Sequence, residues 1–342
     1  MEWSSEFIGD ACVPLAAQPQ VHSNPIMSEQ PFLSRRAVLA TLASAAAPGI
    51  ALAAPIDAQR VRAQLAEKWT DVDSALVLSG GVPTFEFYRD GQPDRARLQF
   101  SVGKSVLSAL VGRAQADGHL RSIDERVLDI VPEWAKENAD ERLRSMTIGH
   151  LLTMTAGFAV NDPTGTARAE PIPGPWRRPM AAAPGERFAY DNGAFALLAA
   201  ALERAVKMPL ADYARAALAQ PLGLAEPDLR SGLAMRTCDM ARIGQLYLQE
   251  GEWEGRQLLA REYVAASTRA QNAGGRPAML GYGYMWWILP GPPGRQPFMA
   301  SGWGGQTIRV DPARQQVIAI TCPASFGSQQ RRHWLELMVA LL

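Results

Sequence analysis

Phe100-Ser101-Val102-Gly103-Lys104-Ser105 is the stretch from which the rest of the chain can be read. Val102, Val106, Ala109, Leu110 and Arg113 recur at helical spacing, which predicts a helix over 101–116 ended by Gly118. Positions i and i+3 share a helix face, so the Ser101 hydroxyl and the Lys104 amine can meet. A serine hydroxyl is a poor nucleophile until a neighbouring base takes its proton. A lysine serves as that base only where burial and nearby positive charge favour the neutral amine. The start of a helix adds N–H groups and a dipole that stabilise developing negative charge. With eighteen serines and four lysines in the chain, about 0.2 S-x-x-K tetrads are expected by chance on composition alone. The competing reading is an ordinary helix start capped by serine.

Two further stretches carry candidate chemistry. Tyr190-Asp191-Asn192 follows Pro184-Gly185-Glu186-Arg187-Phe188 and opens a helix. Tyr190 offers a hydroxyl that could shuttle protons. Asn192 offers an amide that could hold a substrate carbonyl or bridge to Lys104; the competing reading is a buried aromatic before a helix with Asn192 as its cap. Ser301-Gly302-Trp303-Gly304-Gly305-Gln306 leads into a strand, where glycines permit close backbone approach. The N–H groups of Ser101 and Gln306 could then serve as paired oxyanion donors. A plain turn or bulge is the alternative.

Around these stretches the pattern reads as hairpin, helices, strands. Asp57–Lys68 is an amphipathic helix, and Ser74–Ser79 and Thr84–Tyr88 form a β-hairpin across Gly80-Gly81. Helices are predicted over Ile123–Val131, Thr147–Met154, Gly193–Val206, Leu210–Ala219 and Arg236–Gln249. Residues 159–185 hold six prolines and three glycines and read as a long functional loop. Tyr282–Leu289, Gln306–Val310 and Gln316–Thr321 read as strands, and Gln329–Leu342 as a closing helix. A sheet built from both ends of the chain implies an inserted helical region, about 120–275, between sheet segments 55–119 and 276–342.

Composition narrows the function classes. The 342 residues are 47% hydrophobic and 20% charged, with 34 basic and 34 acidic residues balancing to zero. That excludes a disordered chain and a dedicated nucleic-acid binder. The four lysines are Lys68, Lys104, Lys136 and Lys207. Arg35-Arg36 precedes an Ala-rich run to Ile50, and Ala51-Leu52-Ala53 fits a small-residue cleavage site. The expectation is a twin-arginine-type leader over 1–53, with 1–26 an over-extended start, and a mature domain over 54–342 in the periplasm or outside the cell. An uncleaved anchor is the alternative, disfavoured because the run is short and Ala-rich against the ~20 strongly apolar residues of a span. Cys238 and Cys322 remain in the mature chain and make no disulfide framework. No metal-ligand spacing is present, so neither metal nor cofactor is expected.

Taken in order, S-x-x-K, Y-x-N and a Gly-rich strand start resemble the penicillin-recognising serine hydrolases, in the class C-like branch that includes β-lactamase-fold esterases and 6-aminohexanoate-dimer hydrolases. Thr147 to Gly157 is similar to the family's T-I-x-H-L-L-T-x-T-S-G segment. Pro184-Gly185 with Phe188 to Gly193, Gly232 to Arg242, and Gly281 to Trp287 also resemble family runs. The resemblance implies an α+β, β-lactamase/transpeptidase-like fold. It implies Ser101 as acylated nucleophile, Lys104 and Tyr190 as the general-base network, Asn192 as its orienting amide, and Gly305, Gln306 and Trp303 around substrate and oxyanion. His150 is read as a helix-packing residue, and Lys207 and Glu186 as surface residues. Members acting on β-lactams or D-Ala-D-Ala commonly carry Lys or His where Trp303 stands. The missing cation shifts the expected substrate to a neutral ester or small amide, unless Arg168, Arg177 or Arg178 supplies charge. A β-lactamase or carboxypeptidase, and a non-enzymatic binding domain, are the alternatives. An α/β-hydrolase is disfavoured because G-x-S-x-G is absent.

Overall fold

Strand β1, Ser74–Ser79, sends alternate side chains into two cores, as period-two geometry requires. Ala75 and Val77 join Val61, Leu65 and Leu337 on one side. Leu76 and Leu78 join Val102, Val106 and Leu110 on the other. The structure is a computed structural model that describes residues 56–160, 172–225, 233–324 and 328–342. Residues 1–55, which include the expected leader with Arg35 and Arg36, lie outside these ranges, as does Arg168.

β1 pairs with β2 (Val82–Tyr88) and with β12 (Gln316–Thr321), so the two ends of the chain share one sheet. The small strand β3 (Arg97–Leu98) pairs with β4 (Ala234–Met235), and β5 (Glu252–Trp253) with β6 (Arg256–Gln257). The remaining strands are β7 (Asn272–Gly275), β8 (Leu280–Tyr282), β9 (Trp287–Ile288), β10 (Phe298–Gly302) and β11 (Gln306–Asp311). The main sheet runs β2-β1-β12-β11-β10-β9-β8-β7, antiparallel throughout.

Helices α1 (Ala58–Glu67) and α6 (Ser328–Ala340) cover one face. The other face meets α2 (Val102–Ala116) and α5 (Thr237–Leu248), with α3 (Ile148–Leu152) and α4 (Asn192–Val206) beyond. Gly244 on α5 lets the helix lie close to the sheet: a Cβ there would sit 2.5 Å from Val317 and 2.8 Å from Ile308.

The α+β architecture with a two-ended antiparallel sheet agrees with the sequence reading. Two strand predictions are corrected. Tyr282–Leu289 is not one strand but the hairpin β8–β9, turned through Met285 at φ +60°. Its turn is held by the Met285 N–H bonding the Leu152 carbonyl at 3.0 Å. Phe298–Gly302 is a strand that the sequence reading passed over, because Ala300, Ser301 and Gly302 carry little strand propensity. The predicted helix over Ile123–Val131 shortens to Val127–Ile130, followed by a tighter turn over Pro132–Lys136.

Candidate active site

β3 delivers the chain to Ser101. The Gln99 N–H bonds the Leu233 carbonyl at 2.7 Å, extending the β3–β4 pairing by one residue. Phe100 then takes φ +49°, a left-handed backbone costly for a non-glycine residue. Such backbone strain, on the order of 1–3 kcal/mol, persists only where the surroundings impose it. Ser101 occupies the cap position of α2, but its side chain makes no capping hydrogen bond. Backbone carbonyls serve the helix start instead, with the N–H groups of Val102, Gly103 and Lys104 bonding those of Gln99, Phe100 and Ser101 at 3.1 Å. The hydroxyl is thereby left to its other partner: Lys104 Nζ lies 3.0 Å from Ser101 Oγ. This decides against the capping reading.

Lys104 is 4% exposed, and Nζ donates to Asn192 Oδ1 at 2.7 Å. No carboxylate pairs with it among the described residues. Its Nζ lies 4.9 Å from the centroid of the Tyr190 ring and 5.0 Å from that of Phe195. Of the two roles expected for Asn192, the bridge to Lys104 is the one present. The cap of α4 is Asp191, not Asn192: its carboxylate accepts from the Gly193 N–H at 2.8 Å. Tyr190 is buried, stacked on Trp287 at 5.7 Å and 19°. Tyr282 meets it edge-on at 6.4 Å, and burial pushes the Tyr282 phenol well above its ordinary pKa. Phe195 went unremarked in the sequence, although its position three residues after Asn192 puts it on the same helix face.

The third stretch forms the β10–β11 turn. Gly302 lies against the segment leading to Ser101, since a Cβ there would sit 2.3 Å from the Gln99 carbonyl oxygen. Gly304 and Gly305 take φ +83° and +100°, which glycine adopts at little cost. The buried Gln306 side chain is tied to Cys322, donating to its carbonyl at 2.6 Å and accepting from its N–H at 3.1 Å. Gln330 of α6 donates to the Gly304 carbonyl at 2.8 Å. Trp303 is 46% exposed, with Nε1 donating to the Ala324 carbonyl at 3.2 Å. Leu98 and Phe100, flanking the buried Gln99, are exposed as well.

Two of the three arginines considered as substitutes for a lysine at Trp303, Arg177 and Arg178, are engaged elsewhere, while Arg168 lies outside the described residues. Arg177 pairs with Glu137 at 2.6 Å and Arg178 with Asp191 at 2.6 Å. His150 makes a reciprocal cap with Thr147: Nδ1 accepts from the Thr147 N–H at 3.1 Å, and Thr147 Oγ1 accepts from the His150 N–H at 3.3 Å. Burial holds its imidazole pKa below the ordinary value. The ring therefore caps the helix start, a hydrogen-bonding role that the packing expectation did not include. Glu186 closes a local turn onto the Ala183 N–H, and Lys207 ends α4 on the exposed surface. No group of metal-ligating side chains occurs among the described residues.

The Beta-lactamase family model matches residues 35–341. The chain belongs to the Beta-lactamase family. Its fold is shared with a "putative 6-aminohexanoate-dimer hydrolase" from Bacillus anthracis, at TM-score 0.66 and 21% identity over 85% of this chain and 86% of that one. EstCE1, described as a hydrolase with promiscuous acyltransferase activity, aligns at TM-score 0.66 and 17% identity over 83% and 97%. A penicillin-binding protein homolog from Caulobacter crescentus aligns at TM-score 0.64 and 16% identity over 83% and 96%. No curated protein sequence matches the chain. A β-lactamase-fold hydrolase is thus the framework within which the Ser101 region is to be understood.

Proposed function

We propose that this β-lactamase-family protein is a serine hydrolase that cleaves neutral esters or small linear amides through an acyl-enzyme on Ser101. The observation that carries this is the 3.0 Å approach of Lys104 Nζ to Ser101 Oγ in a buried setting without a carboxylate partner. Ser101 Oγ attacks the carbonyl carbon as its proton passes to Lys104. The N–H groups of Ser101 and Gln306 receive the oxyanion. The bond to the leaving group breaks as that atom takes a proton through Tyr190 and Lys104. Water then attacks the acyl ester, returns a proton to the same network, frees the acid and restores Ser101. Asn192 holds the lysine in place.

Trp303 supports the neutral substrate. An indole stands where a carboxylate-binding cation would, and Arg177 and Arg178 are spent on Glu137 and Asp191. The names of several fold relatives favour a second reading, a β-lactamase or D-Ala-D-Ala carboxypeptidase on the same machinery. Intact-mass detection of an adduct on Ser101 across esters, amides and β-lactams separates the two. An ester or amide adduct without nitrocefin turnover supports the first, and penicillin acylation the second. A Ser101→Ala protein hydrolysing p-nitrophenyl esters at the wild-type rate would falsify both. Absence of fluorophosphonate labelling at Ser101 would point to the non-enzymatic binding domain.

Export is part of the proposal and rests on Arg35-Arg36 and the Ala51-Leu52-Ala53 site. The expected mature N-terminus is Ala54, read by mass spectrometry of the extracytoplasmic protein; retention of residues 1–53 there overturns it. No helix among the described residues is long and apolar enough to cross a membrane.

A further inference from the structure

Asn192 is the first residue of α4, and its amide oxygen accepts from Lys104 Nζ at 2.7 Å. Asp191, between Tyr190 and Asn192, is 5% exposed. Arg178 grips its carboxylate with both arms, NH1 to Oδ1 at 3.1 Å and NH2 to Oδ2 at 2.6 Å. Arg178 is itself fixed. Its Nε donates to the Pro175 carbonyl at 3.0 Å, and its guanidinium lies 5.0 Å from the Phe158 ring centroid. Its own carbonyl accepts from Asn138 Nδ2 at 3.0 Å. Gly193 leaves room for the fork, since a Cβ there would sit 2.4 Å from NH2 and 3.0 Å from Pro175.

We infer that Arg178 and Asp191 form a positioning pair that sets Asn192 and Tyr190 against Lys104; this rests on the Ser101 hydrolase reading. A bidentate guanidinium–carboxylate pair fixes orientation as well as distance. Here it fixes a residue flanked on both sides by candidate site groups, Tyr190 and Asn192. Arg178 therefore governs turnover by holding Asp191 rather than by reading substrate charge. The shape of Gly193 is part of the device, because any side chain there displaces the fork.

The test compares wild type with Asp191→Asn, Gly193→Ala, Arg178→Lys and Arg178→Ala, using p-nitrophenyl ester kinetics, the fluorophosphonate labelling rate and thermal unfolding. Asp191→Asn keeps an oxygen for the Gly193 N–H, and Gly193→Ala keeps both charges, so folded protein is expected even where Arg178→Ala fails. Misplacement on the ångström scale predicts kcat and labelling lower by about tenfold to a hundredfold, with KM within about twofold. Arg178→Lys should retain more activity than Arg178→Ala. Variants that melt earlier but turn over at the wild-type kcat while folded overturn the inference. If wild-type protein reacts with neither ester nor fluorophosphonate, the Ser101 reading fails. A crystal structure of Gly193→Ala then decides the pair: an intact Asn192–Lys104 bond overturns it, and a broken one upholds it.

Discussion

At the scale of single residues, three groups on two helices converge: Ser101 and Lys104 from α2, and Asn192 from α4. A base that must accept a proton cannot be replaced by a group that never releases one. Lys104→Arg should therefore be as impaired as Lys104→Ala, each losing about 10²–10⁴ in kcat for a p-nitrophenyl ester. An arginine variant close to wild type would refute the role proposed for Lys104. Trp303→Ala removes an exposed apolar wall. The expected result is a lower kcat/KM that worsens as the acyl chain lengthens, measured across a chain-length series; a uniform loss would show that the indole does not meet the acyl group. Ser101 and Lys104 were legible because their partnership is local and helical. Asp191 and Arg178 were not, because a guanidinium thirteen residues away has no periodic relation to the carboxylate it grips. The Trp303 substitution was legible as a departure, while the occupation of Arg177 and Arg178 was not.

At the scale of elements, α3 shows how a short helix is held by its ends. His150 Nδ1 can accept the Thr147 N–H only while unprotonated. Burial lowers the folded imidazole pKa from 6.5, so the unfolded chain takes up the proton first as pH falls. The stabilisation is complete above about pH 6.5, the unfolded value, and drains away as pH drops toward the folded value. Wild type should lose melting temperature more steeply than His150→Gln between pH 7.5 and 5; parallel curves would contradict this. Thr147→Ala should cost about 1 kcal/mol in denaturant unfolding through the lost cap. The α5–sheet contact gives an opposite kind of sensitivity. Gly244→Ala forces a methyl toward Val317 and Ile308 and should destabilise by about 1–3 kcal/mol. Ile123–Val131 kept only Val127–Ile130, and Leu210–Ala219 changes from α-helix to π-helix at Arg215, while the helix periods of α2, α4 and α5 survived the passage from sequence to structure. The β8–β9 turn did not, because the positive φ of Met285 carries no signal in a residue that is usually extended or helical.

At the scale of the whole molecule, one sheet separates two cores, and only one of them adjoins Ser101. Leu337 on α6 is wholly buried in the far core, beside Leu65 and Ile320. Leu337→Ala should cost about 2–5 kcal/mol in unfolding free energy while kcat at 25 °C stays near wild type. A proportional fall in kcat would mean that the far core also shapes the site, through Gln330 and the Gly304 turn on the same helix. The chain by itself determined the local chemistry: a serine and a lysine one helical turn apart, a tyrosine and an asparagine before a second helix, and a glycine turn lacking a cation. Its family motifs determined the fold, because apolar periods and glycine positions are written residue by residue. Only the tertiary structure decided which amide meets Lys104, that Ser101 does not cap its helix, and where the arginines go. Those outcomes depend on contacts across 88 residues for Lys104 and Asn192, and on competition among partners for each buried charge. Neither leaves a period in the sequence.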